Sequence, residues 1–122
     1  MRYVTNEEIT SLSIKPEIWK KWVKEAFLMK ETSMLPHKIS QTFDQGRKYY
    51  NTMPALMPDI NTAGVKIVSR YPERKPTIQG ELLLYDMTNG KLKAVMDATW
   101  ITTARTGAVA ALALDTFSNS KC

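Results

Sequence analysis

Two cations stand out in this sequence because their neighbours are apolar. Lys66 sits in Gly64-Val65-Lys66-Ile67-Val68-Ser69, which reads as a strand, and Arg105 in Thr102-Thr103-Ala104-Arg105-Thr106-Gly107-Ala108, which reads as the first turn of an alanine-rich helix. Strand alternation sets Lys66, Val68 and Arg70 on one face and Val65, Ile67 and Ser69 on the other. A lysine in mid-strand is ordinarily a solvated outer-face residue. A cation at a helix start opposes the dipole and the free N–H groups, both of which favour an anion. A small carboxylate held between the two reconciles both placements. The alternative is an Arg105 that swings into solvent or pairs with Asp97 or Asp115. Thr102, Thr103 and Thr106 add hydroxyls around the same turn. Lys38 is a third cation, which taken alone is a surface lysine. Thr77 follows Pro76 at a strand start, where a purely structural role is equally open. Gln79 and Glu81 share its face by period two, while Ile78, Leu82 and Leu84 line the other. That polar face, if close to Lys66, would floor a site for a small zwitterion.

Composition narrows the classes of function. The chain has 122 residues, 43% hydrophobic and 24% charged, which is one ordinary globular domain. Seventeen Lys+Arg against 12 Asp+Glu give a net charge of +5. The basic residues are scattered, without the stripe and interleaved aromatics of a nucleic-acid surface, so the excess is read as drawing in small anions. With one cysteine, Cys122, and one histidine, His37, the chain offers no disulfide framework and no Cys-based or His-rich metal site, and most Ser-His or Cys-His nucleophile arrangements are removed; no metal is expected. No signal-peptide core or membrane-spanning run is present, and a cytoplasmic protein with no membrane partner is expected. The glycines form neither a dinucleotide-binding nor a Walker pattern.

The elements that must position these residues follow from period and punctuation. Thr5 and Glu8 form a capping box for a short helix to about Leu12. Pro16 opens a second helix, in which Ile18, Trp19, Trp22, Val23, Ala26 and Phe27 recur at helical spacing; the tryptophans are read as core. Extended segments are expected over 38–43 and 48–53, joined by a turn at 44–47. Residues 53–59 are expected to loop, because Pro54 and Pro58 remove two ladder donors. Strands follow over 63–71, 77–86 and 91–97, with Asn89-Gly90 in the last turn. A helix from about Trp100 or Thr102 to Phe117 ends in a polar exit, 118–122, with the composition of a linker. The class is α+β, a mixed, mostly antiparallel sheet with helices on one face. Leu82, Leu83, Leu84 and Tyr85 are apolar on both faces, so the second face requires cover, for which a dimer mate is one candidate.

The collinear set Met34-Leu35-Pro36-His37-Lys38-Ile39-Ser40, Met53-Pro54-Ala55, Gly64-Val65-Lys66, Pro76-Thr77-Ile78-Gln79-Gly80, Leu84-Tyr85-Asp86, Asp97-Ala98-Thr99 and Thr103-Ala104-Arg105-Thr106-Gly107-Ala108 resembles the ornithine cyclodeaminase/mu-crystallin family. It covers the substrate-binding and dimerisation part, here residues 1–117, with 118–122 as the start of a linker to a Rossmann domain absent from these residues. The resemblance implies a sheet that closes against a dimer mate. It implies Lys66 as the catalytic contact and Lys38, Lys66 and Arg105 as the carboxylate clamp; some members carry arginine where Lys38 stands, and lysine grips less bidentately. It places Thr77, Arg105 and Thr106 beside NAD or NADP. The implied reaction converts ornithine to proline with loss of ammonia, or reduces a cyclic imino acid. The alternative is a non-catalytic small-ligand-binding or dimerisation module. Since the family's cofactor fingerprint lies outside these residues, the chain alone is expected to be inactive.

Overall fold

The computed structural model describes residues 1–119, with side chains through Phe117. The chain forms β1 (Arg2–Val4), α1 (Asn6–Ser11), α2 (Pro16–Leu28), β2 (Ile39–Phe43), β3 (Lys48–Met57), β4 (Thr62–Arg70), β5 (Ile78–Asp86), β6 (Leu92–Asp97) and α3 (Thr99–Asn119). α1 begins at the expected capping box: Thr5 Oγ1 accepts from the Glu8 amide at 3.1 Å, and Glu8 Oε1 accepts from the Thr5 amide at 3.5 Å. Pro16 opens α2, where its missing N–H costs nothing. α3 starts at Thr99 and continues to Asn119, two residues into the segment expected to be a polar exit; residues 120–122 lie outside the described residues.

The six strands lie in one sheet, in the order β1-β6-β5-β4-β3-β2. All pairs are antiparallel except β1 with β6, so the sheet is mixed and the class α+β, as the sequence predicts. β1 was not anticipated; three residues are too short to show a period. A second difference is β3, which runs through Pro54 to Met57 where the prolines predicted a loop. Leu56 exchanges hydrogen bonds with Met34, at 2.9 and 2.8 Å, on the β2 side of the strand. Residues of one parity present their amides to the same side. The nitrogen of Pro54 therefore points toward the β2 edge, beyond the last β2 pair at Ile39 and Thr52, and no bond to β4 is lost. At Pro58 the loop expectation holds, with a short 3-10 turn over Pro58–Ile60.

Register assigns the two faces. Met53, Lys66, Leu82 and Met96 form one cross-strand row. The helices stack on this side: Gly80 faces Val68 and Ala98 closely enough that an added Cβ would sit 3.4 Å from Val68 Cγ2 and 3.6 Å from Ala98 Cβ. Val68, Ala94, Ala98 and Ala108, with Ile9 of α1, form the closed core. The opposite face carries the row Pro54, Val65, Leu83 and Val95, flanked by Leu56, Ala63 and Tyr85. α2 packs against α3, and Lys20 pairs with Asp115 between them. α2 buries no residue completely, and Trp22 is 46% exposed. The expected core role of its tryptophans is thus only half right; α2 is an outer wall, with Trp19 and Trp22 edge-to-face at 5.6 Å.

Candidate carboxylate-binding site

β4 presents Lys66 toward the helix layer between Met53 and Leu82, and Arg105 of α3 lies within electrostatic range of it. Lys66 is pushed below the usual lysine range, first by burial and then by the positive charge of Arg105. Among the described residues neither side chain has a hydrogen bond or an ion pair. Asp115 is taken by Lys20, and Asp97 accepts from the Thr99 amide at 2.9 Å, so neither aspartate neutralises Arg105. Lys66 is half-buried while Arg105 is exposed on α3, so water screens part of their repulsion, and a bound carboxylate would relieve the rest. A guanidinium offers two parallel N–H donors to a carboxylate, and an ammonium adds a compact charge.

Two parts of the sequence-based picture change. Arg105 lies in the second turn of α3, because the helix begins at Thr99. The N-terminal donors are already used: Ala98 donates to Gly80 O at 2.7 Å, Thr99 to Asp97 and Trp100 to Asn6 Oδ1 at 3.1 Å. The helix dipole therefore contributes little to the site, since its effect fades within the first turn; the cation pair carries the attraction. Gln79 and Glu81 pair with Ser69 and Ile67, on the face opposite Lys66. The floor beneath Lys66 is apolar, formed by Met53, Leu82 and Met96. Lys38 precedes β2 by one residue and is exposed. Continuing the β2–β3 register one step beyond Ile39 and Thr52 sets it beside Met53, at the end of the Lys66 row.

Thr77 and Thr106 come together. With Thr99, Thr102, Thr103 and Gly80 they line a cavity of about 470 Å³ between the start of β5 and the first two turns of α3. Thr106 Oγ1 donates to Thr102 O at 2.9 Å, whereas the Thr102 hydroxyl is buried without a partner. Arg74 holds Thr77 in place and was missed in the sequence, where it reads as part of a solvated charged connection. Its Nη2 donates to Thr77 O at 3.2 Å, Ser69 O at 3.0 Å and Ser69 Oγ at 2.9 Å, and its guanidinium lies 4.9 Å from the Tyr71 ring centre. Only the closure of β4 onto β5 gives Arg74 these partners, so no local signal marks it. The phosphate-cradling glycine pattern is not among these residues. No group of three or more His, Cys, Asp or Glu among the described residues is placed to hold a metal ion.

A model of the ornithine cyclodeaminase/mu-crystallin family matches residues 4–118. The chain belongs to that family. The alanine dehydrogenase of Archaeoglobus fulgidus is 33% identical over 116 residues, which are 90% of this chain and 34% of that protein. The Delta(1)-pyrroline-2-carboxylate reductase of Thermococcus litoralis, solved with NADH and L-proline, superposes with a TM-score of 0.81 at 27% identity, over 90% of this chain and 36% of that one. An archaeal alanine dehydrogenase dimer with bound NAD gives 0.78 at 32% identity, over 88% of this chain and 34% of that one. Family members thus include NAD-linked enzymes of small amino and imino acids. The chain spans 23–34% of the length of the curated relatives it matches. No helix among the described residues is long and apolar enough to cross a membrane.

Proposed function

We propose that these residues form the substrate-binding and dimerisation part of an NAD(P)-dependent ornithine cyclodeaminase-like enzyme. Its substrate is a small amino or cyclic imino acid, converted from ornithine to proline with loss of ammonia or reduced at an imine. The observation that carries this reading is the Lys66–Arg105 pair, two cations within electrostatic range of each other and without an ion pair among the described residues. Lys66 and Arg105 clamp the substrate carboxylate, with Lys38 closing from the end of the row. Lys66, the more enclosed of the clamp residues, is the catalytic contact and fixes the acid relative to the reacting carbon. Thr77, Arg105 and Thr106 border the cofactor, which accepts or donates the hydride when bound. Residues 1–117 make up this part, and 118–122 lead toward a nucleotide-binding domain; a cytoplasmic location accords with the role. A purely ligand-binding or dimerisation module is the second reading.

The test is calorimetric titration of the chain with L-proline and with pyrroline-2-carboxylate. Binding that falls at least tenfold in both Lys66→Ala and Arg105→Ala supports the clamp; affinity equal to wild type in either variant refutes it. With NAD(H) added, the 122 residues should give no turnover above the Lys66→Ala background. Turnover above that background would show that the chain alone completes a catalytic site.

A further inference from the structure

We infer that the acid held by Lys66 and Arg105 carries an apolar tail, received by the groove between α2 and α3. This rests on the clamp reading and narrows it to a substrate class. Arg105 belongs to both features: its charge reaches Lys66, and it borders a groove of about 380 Å³ walled by Trp22, Phe27, Leu35, Met57 and Ile101. Met57 is on the Lys66 face of the sheet, four residues along β3 from Met53, so the groove opens along the face that holds the clamp. Ile101 is one turn before Arg105 on α3.

The charges of the groove define its occupant. Its lining holds Arg105 and Lys30 and no aspartate or glutamate. A tail ending in an ammonium, as in ornithine, would enter a space with two cations and no acid, losing hydration without gaining a partner. A carboxylate with an aliphatic or aromatic tail matches both halves. Phe27 and Leu35 stand 51% and 50% exposed, which leaves large apolar surface for a ligand to cover. Each methylene so buried improves binding roughly fourfold.

The experiment titrates the 122-residue chain with acetate, 5-aminopentanoate, 3-phenylpropionate and 3-phenylpropanol, following backbone amides by NMR. We expect 3-phenylpropionate to bind at least tenfold more tightly than acetate, 5-aminopentanoate or the alcohol. Its shifts should appear at Lys66 and Arg105 and also at Trp22 and Ile101. Trp22→Gln, at a half-exposed site that tolerates a polar side chain, should bring its affinity down to that of acetate. If all three acids bind alike, the clamp stands and the tail inference falls; a groove reserved for another polypeptide segment gives this result. If the alcohol equals the acid, groove and clamp are separate sites and the inference falls. If no acid binds, the clamp reading and the inference fall together.

Discussion

At Lys66 the local physics gives a sign that can be checked. The ammonium is half-buried, near Arg105, and its proton is held less tightly than in the unfolded chain, where the lysine value is 10.5. The folded state therefore binds fewer protons between the lowered folded value and 10.5, and stability rises with pH across that window. Below the window the repelled charge is fully present and the fold bears its cost. Lys66→Met should accordingly raise the melting temperature at neutral pH by a few degrees, remove the rise at alkaline pH, and abolish carboxylate binding. A lower melting temperature across the whole range would mean that Lys66 is stabilised by something other than a ligand. Lys66 drew notice because its charge interrupts an apolar strand, and Arg105 because it was expected in the first turn of α3, where the structure sets it in the second. Their environment was not legible. Whether Gln79 or Leu82 lies beside Lys66 depends on the parity of the β4–β5 register, which no single strand reveals.

Among the elements, the connection between β4 and β5 is fixed by one side chain. Arg74 accounts for two acceptors at Ser69 and one at Thr77, and the Tyr71 amide adds a second bond to Thr77 O at 3.0 Å. Ser69 is buried, so losing Arg74 leaves its oxygens poorly satisfied. Arg74→Ala should cost about 1–3 kcal/mol in urea denaturation and shift the amide resonances of Thr77 and Gly80 more than those of α2. A loss below about 0.5 kcal/mol, the scale of an ordinary surface change, would make Arg74 a surface residue. Most element boundaries were readable from period and punctuation, with Thr5, Pro16 and Gly90 marking ends where the structure has them. The failures have definite causes. Pro54 was read as a breaker because the side to which its nitrogen points depends on strand pairing. The start of α3, expected at about Trp100 or Thr102, lies at Thr99, where Asp97 and Asn6 cap it, and Asn6 is brought there from 94 residues away.

For the whole molecule, the sheet is clothed on one side. Pro54, Val65, Leu83 and Val95 form an apolar row on the side opposite α3, and the closed core on the helix side is built largely of small residues. An apolar face of this kind seldom stays open to water, and a second copy is the cover favoured by the proposed function. Sedimentation at tens of micromolar, roughly where a standard-size interface associates, should give a dimer. Leu83→Lys should give a folded monomer. A wild-type monomer at that concentration would remove the dimerisation role. The two-sided apolar strand was legible in Leu82-Leu83-Leu84-Tyr85; which side stays bare was not, because helix placement is settled only by packing.

The most direct measurement is NMR titration of the Lys66 side chain, with and without a small carboxylate such as acetate. We predict an ionisation below the normal lysine range that moves upward on adding the acid, stays put with the matching neutral amide, and no longer responds to the acid in Arg105→Ala. An ionisation unaffected by the acid would mean that no anion occupies this place, and the carboxylate site would have to be abandoned.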